Sequence, residues 1–138
     1  GIVFKDDNLT VEAFKVNHGE FEDAYGFRFT SKDKVIVFSG DTGPSKSLES
    51  YAKDADILVH EVYSYAGFLK KTKDWQIYHK GHHTSTYEVG EIASRAKPKL
   101  LVLSHILFWG ADEQDILEET RTTFSGNIKI AEDLMVIK

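Results

Sequence analysis

In the first third of the sequence the apolar residues alternate with polar ones, as over 9–16, or form a short unbroken run, as over 35–38. These patterns predict consecutive β-strands over residues 9–16, 24–30 and 34–38, with Ser31-Lys32-Asp33 as a tight polar turn between the last two. The opening residues Gly1-Ile2-Val3-Phe4 resemble the interior of a further strand, so we expect the chain to start at a cut. The first part of the chain is therefore predicted to be rich in β-structure.

Beyond residue 43 the apolar spacing changes type repeatedly, which is typical of strands that alternate with helices. Pro44 is expected in the first turn of a helix, a position that proline favours. Thr84, Ser85 and Thr86 offer capping hydroxyls at the start of another helix. The predicted elements are helices over 44–53, 85–96 and 112–124, strands over 57–59 and 100–103, and a closing pair of strands over 127–130 and 134–137.

These elements predict an α/β (α+β) fold with one mixed sheet and covering helices, in a single domain over residues 1–138. A chain of 138 residues can bury a core of ordinary size without disulfides, and this chain has no cysteine. Histidine and carboxylate side chains are therefore the strong metal ligands available. We expect a cytoplasmic protein.

The formal charge of −5 argues against a surface that neutralises many phosphates. The one basic cluster, Lys70-Lys71-Thr72-Lys73, is interpreted as a solvated helix end or loop. No apolar run approaches the roughly 20 residues that span a membrane. Composition therefore favours a small-molecule partner over nucleic acid or a membrane.

Three residues with metal-binding side chains are placed where predicted strands end. Asp41 lies in the glycine-flanked turn after the apolar run 35–38, and His18 and His105 each follow an apolar strand. Taken singly, each residue is more often a turn former or a satisfied polar group. Because neighbouring strands deliver their ends to a common edge, the joint placement predicts a site for zinc or a similar first-row metal.

Half of the six histidines fall between residues 78 and 83, before the predicted helix over 85–96. For His83 the spacing leaves open a metal ligand, a proton donor to a leaving group and a helix cap. His79 is interpreted as an exposed loop residue, and His82 stays undecided. His60 and Glu61 follow the strand over 57–59, and we expect both to point towards the edge that carries Asp41, with Glu61 accepting a hydrogen bond from an imidazole.

An ordered set of short runs across nearly the whole chain is similar to the metallo-β-lactamase-fold hydrolases, and most closely to their ribonuclease Z and arylsulfatase-like branch. The runs that carry this resemblance are Gly1-Ile2-Val3-Phe4-Lys5-Asp6-Asp7, Val16-Asn17-His18-Gly19, Tyr25-Gly26-Phe27-Arg28, Ser39-Gly40-Asp41-Thr42, Val59-His60-Glu61, His83-Thr84-Ser85-Thr86 and Leu103-Ser104-His105. The set is more specific than any one of its members.

The resemblance implies two divalent metals, zinc before manganese or iron, and a bridging hydroxide as the nucleophile that cleaves an ester or phosphodiester. It implies that His18 binds the first metal, that Asp41 bridges both and that His105 binds the second. His83 matches the histidine that assists the departing oxygen, and Glu61 matches the acidic residue that supports it. Catalytic roles are thus expected for His83, Glu61 and Asp41.

The family's HxHxDH run, which supplies most remaining ligands, does not occur in the sequence. We therefore expect the C-terminal half of an αββα sandwich, inactive alone, whose bare sheet face pairs with the missing N-terminal half or with a second copy. The basic arm that grips tRNA in ribonuclease Z has no room before residue 35, so tRNA is not the expected substrate. The alternative is a non-catalytic half-domain that serves as a binding or dimerisation module.

Overall fold

The seven strands of the sheet pair in the order in which they occur along the chain. A computed structural model describes all 138 residues. The first four strands are antiparallel neighbours, and the fourth to seventh are parallel. The strands are β1 (Ile2–Lys5), β2 (Leu9–Lys15), β3 (Tyr25–Ser31), β4 (Val35–Phe38), β5 (Ile57–Tyr63), β6 (Leu100–Leu107) and β7 (Ile128–Ile130).

Five helices connect or follow the strands of the parallel part. They are α1 (Lys46–Ala52), α2 (Tyr65–Leu69), α3 (Lys73–Lys80), α4 (Thr86–Ala96) and α5 (Glu113–Arg121). Each begins after a serine, threonine or aspartate whose side chain accepts a backbone N–H of the first turn, which satisfies an otherwise unpaired donor. None of the helices has the length and apolar character that a membrane span requires.

The core lies on one face of the sheet, between the strands and the helices α1, α4 and α5. Its fully buried members include Leu58, Leu101 and Ile116. On the opposite face, which we call the open face, the paired residues Phe27 and Phe38 keep 38% and 41% of their surface exposed. The mixed sheet with helices confirms the predicted fold class, and the expected bare sheet face is present.

The predicted closing pair of strands is wrong. Ile128–Ile130 forms β7, which runs parallel to β6, and the amide of Ala131 continues this ladder by donating to the carbonyl of Leu103. The following turn, closed by the amide of Met135 on the carbonyl of Glu132, does not return the chain to the sheet, and Leu134 is 99% exposed. The segment over 134–137 therefore forms no strand.

Two helices in the middle of the chain were not predicted, and several bounds differ. The segment between β5 and α4 forms α2 and α3, so the residues interpreted as a loop before residue 81 are largely helical. Pro44 precedes the cap Ser45 and is not in the first turn of α1. β5 and β6 continue four residues beyond their predicted ends, because parallel pairing with each other extends to Tyr63 and Leu107.

Asp56 ties the start of β4 to the start of β6 and should make stability depend on acid. Its carboxylate accepts the amide of Val35 at 2.8 Å and the ammonium of Lys99 at 2.9 Å. These two contacts lower the pKa of Asp56 below its ordinary value of 3.8, and the hydrogen bond from the Val35 amide has the larger effect. A lowered pKa means that the stabilisation is present above the ordinary value and is lost as pH falls through the folded-state value.

We therefore expect Asp56→Asn to lower the urea midpoint at pH 7 and to flatten the loss of stability between about pH 5 and pH 2. Urea unfolding followed by circular dichroism at several pH values measures both effects. Asp33→Asn is the matched control, because the Asp33 carboxylate lies in the exposed β3–β4 turn without a hydrogen bond. If the stability of Asp56→Asn falls as steeply with acid as that of the wild type, Asp56 does not have this role.

Candidate functional site

Several connections and strand ends meet at one edge of the sheet, where the parallel strands have their carboxyl ends. This edge carries the side chains of His18, Asp41, Glu61, His83 and His105, each from a different connection or strand end. In open α/β sheets the same edge is where ligands bind, because the strand ends diverge there. The structure thus brings together all five residues that the sequence selected.

Asp41 lies in the turn that leaves β4, and the backbone around it is closely held. Gly40 has a positive φ of 62°, and a β-carbon there would lie 2.6 Å from the carbonyl oxygen of Tyr25, so glycine is required. Gly43 donates its amide to the carbonyl of Asn17 at 2.6 Å, which joins this turn to the loop after β2. The carboxylate of Asp41 itself is exposed at the sheet edge.

His105 reaches the same edge through a bulge inside β6. Glu61 of β5 pairs with Ser104 and the next residue of β5 pairs with Ile106, so His105 is the extra residue. Its backbone has a φ of 42°, and its Nδ1 lies 3.6 Å from Oδ1 of Asp41, too far for a hydrogen bond. The strand was predicted to end before His105, whereas it continues past it.

His18 follows β2 and is half-buried beside the segment that leads into α4. Its Nδ1 lies 2.9 Å from the carbonyl oxygen of His82. Because a carbonyl only accepts, Nδ1 carries the hydrogen, and Nε2 of a neutral ring is left with a free lone pair. This is the arrangement in which an imidazole can bind a metal through Nε2.

Glu61 and His83 form a buried pair at the centre of the site. Oε1 of Glu61 lies 2.7 Å from Nδ1 of His83, and the glutamate is only 1% exposed. The same carboxylate accepts the backbone amides of Thr42 at 2.8 Å and Thr84 at 3.1 Å. Burial lowers the pKa of His83, but the hydrogen bond and charge of Glu61, helped by the charge of Asp41, outweigh burial and raise it.

The two backbone amides that hold Glu61 were missed by the sequence reasoning. Thr84 was recognised only as a possible cap of α4, and Thr42 only as part of a turn. These two amides could have been anticipated from the position of Glu61. A carboxylate at a strand end between two loops often meets backbone amides that no strand or helix has paired. A buried carboxylate with three donors is well satisfied, so Glu61 is fixed in place.

The ring of His83 lies between the two other imidazoles of the site. Its centroid is 5.5 Å from that of His18 and 5.8 Å from that of His105. Imidazole and carboxylate are donors that suit zinc, manganese or iron. No three such groups come close enough to hold one ion, so the residues fit a metal in kind but not in number.

The three other histidines of the chain, His60, His79 and His82, lie near the site but pack against other parts of the structure. His60 is fully buried and hydrogen-bonds through Nδ1 to the carbonyl of Glu61, while its Nε2 has no partner. Because successive strand residues point to opposite faces, His60 lies with the helix-covered core and not at the edge with Asp41, contrary to the prediction. His79 belongs to α3 and stacks on Trp75 at 3.8 Å, so it is not an exposed loop residue. His82 is buried against the loop after β2.

A shallow cavity of about 240 Å³ opens between the site and the open face. Its lining combines the site carboxylates and His105 with aromatic rings of β3 and β4, namely Tyr25, Phe27 and Phe38. A larger groove of about 770 Å³ lies between α1 and α4, where no pair of imidazoles and no buried carboxylate is found. The chemistry therefore selects the smaller cavity.

Known proteins resemble this chain over much of its length. The sequence matches the family described as Beta-lactamase superfamily domain over residues 1–106. Ribonuclease Z of Archaeoglobus fulgidus is 37% identical over 108 residues, which are 78% of this chain and 33% of that protein. Ribonuclease Z of Shouchella clausii is 30% identical over 128 residues, 92% of this chain and 39% of that protein. The chain thus spans between a third and two fifths of the length of these relatives.

Solved structures show the same fold. The metallo-β-lactamase fold protein YhfI from Bacillus subtilis superposes with a TM-score of 0.79 at 23% identity, over 98% of this chain and 52% of that one. Human tRNase Z, short form, superposes with a TM-score of 0.68 at 23% identity, over 99% of this chain and 46% of that one. These structures show a metallo-β-lactamase fold, and the family match over residues 1–106 shows that this chain belongs to the β-lactamase superfamily, with ribonuclease Z proteins among its relatives.

Proposed function

We propose that this chain forms part of the active site of a metal-dependent hydrolase that cleaves a phosphodiester or a related ester. The observation that carries the proposal is the buried Glu61–His83 pair beside Asp41, His18 and His105 at one sheet edge. A buried carboxylate that raises the pKa of an imidazole is typical of a proton-transfer site. The hydrolase relatives support the same chemistry.

His18, Asp41 and His105 are the residues that would hold metal. The free Nε2 of His18 and the exposed carboxylate of Asp41 are donors that a divalent cation can use. A bound divalent metal lowers the pKa of a coordinated water and stabilises charge on the attacked group. Zinc is the first choice, with manganese and iron as alternatives.

His83 is the residue that would move a proton. Glu61 holds Nδ1–H of His83, which orients the ring and favours the protonated form, so that Nε2 can carry a second hydrogen. A hydrogen on Nε2 can pass to the oxygen that leaves when an ester bond breaks. Glu61 thus acts through His83, as a positioning residue.

Among esters, a phosphodiester has the best support. The relatives bear the names ribonuclease Z and tRNase Z, which are at odds with the expectation that tRNA is excluded. That expectation depended on the short connection between β3 and β4, which is indeed only three residues long, 32–34. A basic arm is thus missing at this place, and we propose a phosphodiester substrate without restricting its size.

The three proposed ligands do not suffice for two metals, so we propose that a complementary segment supplies the others. The open face around Phe27 and Phe38 is apolar and borders the site cavity, and is therefore the surface that such a segment would cover. We call this chain together with that segment the assembled enzyme. The chain alone is expected to hydrolyse little, and a second copy on the open face is the competing arrangement. A cytoplasmic location stays a prediction.

Metal content tests the proposed function. We expect the chain, dialysed with zinc or manganese at neutral pH, to retain up to one metal per chain and Asp41→Ala to retain less than a tenth of that amount, because Asp41 is the only carboxylate among the three proposed ligands. Elemental analysis measures both. Asp23→Ala is the matched control, an exposed carboxylate on the loop after His18. Equal metal in wild type and Asp41→Ala would reject the ligand assignment.

The second candidate function is a non-catalytic binding or dimerisation module. The exposed aromatic residues of the open face favour it, because they would serve association equally well without any chemistry. A chain that binds no metal and whose assembled form hydrolyses no phosphodiester would support this alternative.

A further inference from the structure

We propose that Gly19, Glu20 and His82 form a clamp that positions the ring of His18 for metal binding. The clamp joins the loop after β2 to the segment between α3 and α4, and apart from the carbonyl of His82 none of its groups has a role in the site as described above. The inference rests on the proposed function, in which His18 is a ligand. It assigns positioning, and not contact with substrate, to Glu20 and His82.

The first part of the clamp is a histidine held from both ends. Nε2 of His82 lies 2.8 Å from Oε2 of Glu20, and Nδ1 lies 2.6 Å from the carbonyl oxygen of Tyr78. The two acceptors lie at opposite ends of the ring, so together they define its position and its plane. His82 is 5% exposed, whereas the side chain of Glu20 is 69% exposed. An exposed loop carboxylate therefore reaches in to hold a buried ring.

The second part is a backbone contact that only glycine permits. Gly19 has a φ of 58°, and a β-carbon built there would lie 2.1 Å from Nε2 of His82, well inside any tolerated contact. The amide of Gly19 donates to the carbonyl of Gly81 at 3.1 Å. The backbone of the loop at Gly19 is thus in close contact with the His82 ring, and each restricts the movement of the other.

The clamp acts on His18 because the two residues share a backbone contact. The carbonyl of His82 is the hydrogen-bond partner of Nδ1 of His18 at 2.9 Å, and the rings meet edge to face at 5.3 Å. The position of this carbonyl determines which nitrogen of His18 carries the hydrogen and where Nε2 points. If the His82 segment shifts away from the loop, Nδ1 of His18 loses its acceptor, and the Nε2–H form becomes available.

A purely structural ion pair would not need this arrangement. A pair whose carboxylate is largely exposed to water contributes little to stability, so a gain in folding free energy is a weak reason for the contact. Contacts that orient a metal-binding imidazole, in contrast, typically change metal affinity 10- to 100-fold. The two explanations therefore differ in what the loss of Glu20 should change.

The test is the tautomer of His18, read from long-range ¹H–¹⁵N NMR spectra of the 138-residue chain at about pH 8, where an ordinary imidazole is neutral. We expect His18 in the wild type to be the Nδ1–H form and Glu20→Ala to shift it towards Nε2–H. Glu20→Gln should restore the wild-type form, because a glutamine oxygen can still accept the hydrogen from His82. Glu22→Gln, an exposed carboxylate of the same loop, is the charge control and should change nothing.

Zinc titration of the same samples is the second readout. We expect the zinc Kd to rise about tenfold in Glu20→Ala and to return to the wild-type value in Glu20→Gln. Gly19→Ala should have the effect of Glu20→Ala, because its methyl group displaces the His82 ring. If zinc binds no variant but the tautomer shifts as described, the clamp stands and the assignment of His18 as a metal ligand in this chain fails. A His18 tautomer that is unchanged in both Glu20→Ala and Gly19→Ala would overturn the clamp.

Discussion

Glu61→Ala is expected to lower the free energy of unfolding by about 3 kcal/mol or more. The Glu61 carboxylate is buried and accepts three donors, the imidazole of His83 and the amides of Thr42 and Thr84. Alanine removes the acceptor and leaves these buried donors unpaired, each at a cost of about 1–3 kcal/mol unless water enters. Glu61→Gln should cost less, because its amide oxygen can still accept part of these bonds.

Urea unfolding of the purified chain measures this loss. The control is Glu119→Ala, which removes a carboxylate that accepts from Ser64, Tyr65 and Thr86 on the other side of α4. Both alanine variants should lose stability, but only Glu61→Ala should change the titration of His83 in NMR spectra. A loss below about 1 kcal/mol for Glu61→Ala would mean that the pair is not buried in solution.

His83→Ala is expected to slow phosphodiester hydrolysis by the assembled enzyme about 10²- to 10⁴-fold, the usual contribution of one general acid or base. The reason is the position of His83, which Glu61 orients from the buried side next to His18 and His105. If His83 protonates the leaving oxygen, the loss of rate in His83→Ala depends on how much that oxygen needs a proton in order to leave. A poor leaving group such as an alkoxide needs the proton, whereas p-nitrophenolate leaves without it.

Rates on an alkyl and on a p-nitrophenyl phosphodiester, compared for wild type and His83→Ala, measure this dependence. The alkyl ester should lose far more rate than the p-nitrophenyl ester. His79→Ala is the control, since its ring stacks on Trp75 and neighbours His83 without a bond to Glu61. Equal losses on both esters would assign His83 to metal binding or positioning instead of proton transfer.

The helix α4 could be predicted because it buries a periodic set of apolar side chains, and the strands β2 to β5 could be predicted from their apolar spacing, although β1 buries none of its residues. α3 was missed, and none of its residues is buried, so it contributes no side chain to the core. The bulge at His105 could not be predicted from apolar spacing, because it inserts only one extra residue into the strand β6. The closing strands were predicted from two short segments on either side of the turn 131–133, but β7 pairs parallel to β6 instead.

The structure places a predicted residue at the expected sheet edge where its position follows from a strand end. Asp41 follows β4 and Glu61 lies near the end of β5, so strand alternation and strand ends were sufficient to place them. His60 shows the limit, because adjacent strand residues face opposite sides and only one of the two could reach the edge. The contact between Glu20 and His82 spans 62 residues and depends on loop conformation, which no local pattern contains.

Because spatial strand order equals sequence order, each strand leaving the ribosome finds its partner already in place. The β1–β4 meander can form first, so the Asp41 turn can be in place early. Glu61 gains His83 later, and His105 arrives only with β6. Nascent chains stalled before residue 100 should therefore protect the meander from protease but bind no metal, because His105 has not yet been added.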